Sequence, residues 1–328
     1  MREGLAYLAF TARGTALAER LAAVLGGTVQ SAGEDLRLGD WTAENFPARE
    51  GLVLIGAAGI AVRAIAPHLR HKAEDPAVVC VREDGAYVIP LLSGHLGGAN
   101  ALAERIAAVT GGVSVVTTAT DVNGVFAVDL WARRQGLLVR NPERIKTVSA
   151  KHLRGETITI ECSVPVVGTA PERVRLGSGG DVCVSWRRQK GDALQLVPRV
   201  LCVGIGCRRG TEQKTLNEAF ARFCEERGVL PQAVCAAASI EQKRDEAGLR
   251  AFCERQGWPI RFYTAKELSA VEGEFTASDF VRQTVGVDNV CERAALLQSA
   301  GKLAEKKYAA EGVTFALAEK PLKLDWSW

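Results

Sequence analysis

Continuous apolar runs alternate along this chain with stretches whose apolar residues recur every three or four positions. Leu5–Phe10 and Gly51–Ile55 are apolar throughout, as in strands of a parallel sheet buried on both faces. Gly14–Leu25 and Ala57–Leu69 follow them as helices, with Arg63 pointing from the second. Ala77–Val81 and Ala86–Leu92 read as strands flanking the turn Glu83-Asp84-Gly85, then Ala99–Val109 as a helix and Val113–Thr117 as the next strand. This β-α-β succession predicts a parallel sheet with helices on its faces.

The texture changes after about Asn141. Glu156–Cys162, Val164–Val167 and Asp181–Trp186 are short β-rich runs, separated by Pro165, Pro171 and Gly177-Ser178-Gly179-Gly180. A second α/β pattern begins near Val200. Its predicted strands are Leu201–Ile205, Ala233–Ala237, Ile260–Tyr263 and Val313–Ala318; its helices are Glu212–Arg227, Asp245–Gln256 and Val290–Ser299. The expected fold class is α/β, with two Rossmann-like α/β lobes and a small mixed α+β middle domain. The expected domains are 1–140, 141–198 and 199–328. The charge-rich Lys302–Lys307 reads as solvated surface.

A chain of 328 residues has room for two or three such domains. The formal charge of +3 is too small to argue for nucleic acid, yet suits an acidic small molecule if the positive groups cluster. Nine cysteines suggest a disulfide set, but the count is odd, no Cys-X-X-Cys pair occurs, and Leu5–Phe10 is too short for a secretory signal. No run approaches the roughly 20 apolar residues of a membrane span. A cytoplasmic protein with reduced thiols, off the membrane, is expected.

Leu91–Asn123 concentrates the chemistry. Ser93-Gly94-His95-Leu96-Gly97-Gly98-Ala99-Asn100 places three glycines and one of only four histidines between a strand and a helix. The glycines permit close backbone approach to a ligand, and an imidazole moves protons near neutral pH. The plainer alternative is a helix start capped by Ser93. The loop Thr117-Thr118-Ala119-Thr120-Asp121-Val122-Asn123 supplies hydroxyls, a carboxylate and an amide. Asp121 can orient His95, act as a base, or cap the helix that includes Val125–Arg133. Gly56–Arg63, with Gly59 and Arg63, can bind an anion at a helix start or form a simple tight turn. Lys72 can pair with a substrate carboxylate. His68 and His71 share a helical spacing but lack a third metal ligand. In the second lobe Gly206, Cys207, Arg208 and Gly210 repeat the strand–glycine–helix arrangement, and Ser239 and Lys243 follow the next strand. Walker A, dinucleotide and nucleophile-elbow patterns are all missing.

These motifs resemble the CbiG family, the cobalt-precorrin-5A hydrolases of oxygen-independent cobalamin synthesis. The resemblance is carried by GIAVRAIAP (Gly59–Pro67), DPAVVCV (Asp75–Val81), LLSGHLGGAN (Leu91–Asn100), TTATDVNGVFAVD (Thr117–Asp129), VGIGCRRGT (Val203–Thr211), ASIEQKRDEAGL (Ala238–Leu249) and VGVDNVCERAAL (Val285–Leu296). It departs from the family at His71, where an acidic residue is expected, and at Glu241-Gln242. The resemblance implies an anionic cobalt-tetrapyrrole substrate whose δ-lactone is opened by water, with loss of acetaldehyde, in the ring-contraction stage of corrin assembly. Cobalt then travels with the substrate, and the protein needs neither a metal nor a cofactor of its own. His95 and Asp121 are the expected catalytic residues, with His95 as an axial cobalt ligand the rival. Gly59, Arg63, Lys72, Ser93, Gly94, Gly97, Gly98, Asn100, Thr117, Thr118, Thr120 and Asn123 are expected to bind substrate, as are Gly206, Cys207, Arg208, Gly210, Ser239 and Lys243. Transient contact with other enzymes of the pathway is expected and a homodimer is left open. A non-catalytic tetrapyrrole carrier is the alternative function.

Overall fold

A computed structural model describes residues 3–33, 36–71, 74–118, 123–277 and 287–328. Chain contacts divide it into two units, Met1–Arg133 with Trp328, and Arg134–Ser327.

The first unit runs β1 (Glu3–Ala9), α1 (Ala12–Leu25), β2 (Thr28–Ser31), α2 (Leu38–Ala48), β3 (Arg49–Ile55), α3 (Ala58–Ile65), β4 (Ala77–Val81), β5 (Tyr87–Leu92), α4 (Ala99–Thr110), β6 (Val113–Ser114) and α5 (Val128–Arg134). Its sheet has the order β2-β1-β3-β4-β5-β6. The apolar runs form strands because both faces are covered. Tyr7, Val53, Ile55 and Val79 pack on Leu17 and Leu21 of α1 and Leu102 and Ile106 of α4. Leu8, Leu52, Leu54 and Val78 pack on Trp41 and Phe46 of α2 and Ile65 of α3. Thr11 starts α1 by accepting the Gly14 N–H at 3.1 Å.

Strands β1, β2, β3 and β4 are parallel, but β5 turns back against β4, and β6 runs parallel to β5. The C-terminal end of β5 therefore lies at the edge where β3 and β4 begin. The Gly56–Gly59 turn lies at the opposite edge, about 17 Å away along a five-residue strand. The run Val113–Thr117 is a strand over Val113–Ser114 only.

The second unit contains β7 (Leu137–Val139), α6 (Glu143–Leu153), β8 (Ile158–Cys162), β9 (Val166–Val167), β10 (Val174–Leu176), β11 (Val182–Val184) and β12 (Leu194–Pro198). Then come β13 (Leu201–Cys207), α7 (Gln213–Arg227), β14 (Val234–Ile240), α8 (Ala247–Gln256), β15 (Ile260–Tyr263), α9 (Ala265–Ser269), α10 (Cys291–Ser299), β16 (Lys302–Ala310), β17 (Val313–Glu319) and β18 (Leu324–Asp325). One sheet has the order β10-β8-β11-β12-β7, parallel except for β7. The other is β15-β14-β13-β17-β16, with β13, β14 and β15 parallel. Aromatic rings fill the core of this second sheet; Phe220 meets Trp258 at 5.2 Å and Phe315 at 5.3 Å between centroids. Gly204 lets α10 lie directly on β13, since a Cβ there would stand 1.8 Å from the Cys291 carbonyl oxygen. Lys302–Lys307 belongs to the edge strand β16. Charged side chains suit an edge because they discourage pairing with other chains.

All nine cysteines are thiols. Among the described residues no helix is long and apolar enough to cross a membrane.

Candidate active site

The chain leaves β5 at Ser93 with φ of 57°, a left-handed conformation that costs about 1–3 kcal/mol for a residue with a Cβ. The turn is knitted from inside. Ser93 Oγ donates to the Asp75 carbonyl at 3.0 Å, which fastens the turn to the start of β4. The Ala99 and Asn100 N–H groups donate to the Ser93 and Gly94 carbonyls, and the Gly98 N–H to the His95 carbonyl. Helix α4 thus begins on Gly98, at φ 85°, and Ser93 does not cap it. The first free N–H groups of the helix already have turn carbonyls as partners.

His95 is buried at 8% exposure, and its Nδ1 lies 3.0 Å from Asp129 Oδ1 on α5. The Asp129 carboxylate also accepts the Leu130 N–H at 3.1 Å. Arg133 Nη1 donates to the His95 carbonyl at 3.3 Å. Asn100 Nδ2 donates to Thr118 Oγ1 at 3.1 Å and fills the space beside Gly94, whose Cβ would fall 2.8 Å from Asn100 Oδ1. The N–H groups of Leu96 and Gly97 have no partner among the described residues. These two donors, beside a buried imidazole with a carboxylate behind it, are the parts acid–base chemistry on a carbonyl requires.

The structure brings together Ser93, Gly94, His95, Gly97, Gly98, Asn100 and Thr118. Thr117, next to Thr118 in the chain, and Asn123 are exposed. Gly59 does not join the group, because it lies at the other sheet edge, and Arg63 is exposed on the last turn of α3. Strand direction explains the separation, because β5 reverses against β4. Lys72, Thr120 and Asp121 lie outside the described residues. Asp129 and Arg133 are the residues the sequence reading missed. Asp129 closes the Thr117–Asp129 motif, and its spacing of four from Arg133 gives both one helix face.

In the second unit the predicted residues collect at the C-terminal ends of β13 and β14, where parallel sheets commonly bind ligands. Glu246 organises them: its carboxylate accepts the Gly210 N–H at 2.8 Å and Lys243 Nζ at 3.0 Å. Burial acts to raise the Glu246 pKa. The Gly210 N–H, Lys243 and Arg209 outweigh it and hold the carboxyl below the ordinary range. Ser239 is fully buried and donates to the Ile205 carbonyl at 2.7 Å, so its hydroxyl serves the sheet. Gly206 makes room for Thr314, whose Oγ1 would lie 2.5 Å from a Cβ. Burial pushes the Cys207 thiol up, against the pull of Lys243, which disfavours a thiolate nucleophile. Arg208 is exposed and its side chain crosses Gly312.

A doubly wound α/β lobe whose glycine turn sets a histidine against a carboxylate of α5 defines an α/β protein with groups suited to acid–base chemistry. Comparison with known proteins makes this specific. The profile for the N-terminal part of cobalamin synthesis protein G matches residues 40–121, and that for its C-terminus matches residues 201–318. The cobalt-precorrin-5A hydrolase of Salmonella typhimurium is 35% identical over 342 residues, spanning 96% of this chain and 97% of that protein. The cobalt-precorrin-5A hydrolase of Priestia megaterium is 30% identical over 298 residues, spanning 83% and 79% respectively. A solved cobalamin biosynthesis protein G homologue from Sulfolobus solfataricus is 20% identical, covers 96% of this chain and 97% of that one, and superposes with a TM-score of 0.39. The chain belongs to the CbiG family of cobalamin-synthesis proteins.

Proposed function

We propose that this protein is a hydrolase that converts cobalt-precorrin-5A to cobalt-precorrin-5B by opening a δ-lactone and releasing acetaldehyde. The observation that carries this reading is the 35% identity to the Salmonella hydrolase across 97% of that protein.

The reaction divides into two proton-transfer steps. In the first, His95 takes a proton from water as the oxygen adds to the lactone carbonyl. The Leu96 and Gly97 N–H groups stabilise the oxyanion. Collapse of that intermediate breaks the ring C–O bond and leaves a carboxylate and a secondary alcohol. In the second, loss of the alcohol proton forms the acetaldehyde C=O as the adjoining C–C bond breaks, and the electron pair passes to the macrocycle. Cobalt belongs to the substrate in this scheme, and the protein contributes no cofactor.

The test is acetaldehyde release from cobalt-precorrin-5A, followed by a coupled alcohol dehydrogenase. Many turnovers per protein support catalysis; no release alongside tight substrate binding supports the carrier alternative. His95→Ala with undiminished release refutes the assignment of the base. The buried imidazole with a carboxylate behind it also favours a second reading, axial ligation of the substrate cobalt. Cobalt-sensitive visible bands that are identical in the complexes of wild type and His95→Ala exclude it.

A further inference from the structure

We propose that α5 is the positioning element of this site: Asp129 holds the imidazole of His95 with its hydrogen on Nδ1, and Arg133 holds its backbone. The proposal rests on the reading of His95 as the acting group, and identifies what makes it act.

An ionised carboxylate only accepts hydrogen bonds, so the 3.0 Å contact to Asp129 requires the hydrogen on Nδ1. In the neutral ring the lone pair then sits on Nε2. The His95 and Asp129 side chains are 7% and 13% exposed, so water competes weakly for the bond. The Leu130 N–H fixes the orientation of the same carboxylate oxygen.

Arg133 stands one helical turn from Asp129, on the same face of α5. It donates to the His95 carbonyl, and its guanidinium lies across Gly98. A Cβ on Gly98 would stand 2.0 Å from Arg133 Nη1. The glycine therefore answers two needs, a left-handed φ and space for the arginine. Val128, Trp131 and Ala132 bury the opposite stripe of α5, which makes the helix a fixed support. Both ends of one residue are thus held from a single rigid face.

Stability alone is a poor reason for such an arrangement. A buried ion pair is often no better than well-packed apolar residues of the same volume. A tautomer fixed by a second group has a chemical use, whether Nε2 takes a proton or binds cobalt.

The experiment uses the full chain labelled with ¹⁵N-histidine. The chain has four histidines, and the His95 signals are those missing in His95→Ala. In wild type, Nδ1 is expected to carry the hydrogen and Nε2 to be pyridine-like. In Asp129→Asn the carboxamide can donate to Nδ1, and the tautomer should reverse. The kcat for acetaldehyde release should fall about 10- to 100-fold with KM changed less than about 2-fold, and Asp129→Glu should recover part of the loss. Arg133→Ala should keep the wild-type tautomer while lowering kcat. Asp129→Asn with wild-type kcat or an unchanged tautomer, in the face of an inactive His95→Ala, overturns the positioning role and leaves His95 as the acting group. A fully active His95→Ala overturns both. Should Asp129→Asn fail to fold, the wild-type spectrum still decides, because a hydrogen on Nε2 of the neutral ring overturns the proposal.

Discussion

Gly204→Ala tests whether the glycines of the second lobe serve packing or ligand. A Cβ at Gly204 would meet the Cys291 carbonyl oxygen at 1.8 Å, its carbon at 2.7 Å and the Ala295 nitrogen at 2.9 Å. All three are backbone atoms of α10, so no side chain can swing aside. Ordinary C···O contact is about 3.3 Å, so strand and helix must part by about 1.5 Å. A gap of that size loses much of the dispersion contact around Ala294 and Ala295, both fully buried. Overpacking of this kind costs about 1–3 kcal/mol. The lower entropy of unfolded alanine returns about 0.4–1 kcal/mol. A net loss of about 1 kcal/mol lowers Tm by about 2–4 °C for a unit of this size. Scanning calorimetry is the assay. An unchanged or raised Tm refutes the packing argument.

The same reasoning gives the opposite sign at Gly59. A Cβ there meets nothing within 4 Å, so Gly59→Ala should stabilise α3 by about 0.5–1 kcal/mol and leave kcat/KM unchanged; a fall in kcat/KM with a normal Tm places substrate against that turn. Glu246 has its folded pKa depressed, so its contribution to stability is present above the unfolded carboxylate value and is lost as pH falls through the folded one. The Tm difference between wild type and Glu246→Gln should therefore be largest near neutrality and shrink on acidification; a constant difference contradicts the role of the Glu246 charge. Cys235 should react with iodoacetamide at lower pH than an ordinary thiol. The two sulfurs of Cys202 and Cys235 lie 4.0 Å apart, and this contact pulls the Cys235 pKa down, against burial and with help from Lys320 and Arg199. Burial instead pushes Cys80 and Cys183 up to about 11, and Cys224 and Cys253 to about 12. Cys202→Ala should raise the alkylation midpoint of Cys235, and an unmoved midpoint rejects the thiol–thiol bond as its cause.

The sequence was most legible where strands are buried on both faces and followed by a periodic helix. β3–α3, β13–α7 and β14–α8 were all readable on that basis. Elements at sheet margins were not. β2 is a polar, mostly exposed strand, Thr-Val-Gln-Ser. α2 contains Gly39 and Pro47, and its helix shows only through the buried Trp41 and Phe46. β16 carries four charged residues, Lys302, Glu305, Lys306 and Lys307, along an edge, where hydrophobic alternation is absent. Within the site, the glycine turn and His95 could be read because glycine and histidine are informative residue types. The partner of His95 could not: any of several carboxylates after Thr117 was chemically suitable, and only the phase of α5 selects Asp129.

Strand direction has the larger consequence for function. A β-α-β reading places every strand–glycine–helix turn at one edge, and so treats the Gly56 and Ser93 turns as equivalent. The reversal of β5 puts them at opposite edges, and their physical character then differs. At the Gly56 edge Gly59 is exposed. At the Ser93 edge the chain tolerates a left-handed serine, a buried imidazole–carboxylate pair and two N–H groups without partners among the described residues. The first two cost free energy in the folded state, through strain and desolvation. A turn needed only to reverse the chain is built more stably without them. Their coincidence at one turn and the helix behind it is the physical reason for locating the chemistry at Ser93–Gly98 rather than at the more ordinary turn after β3.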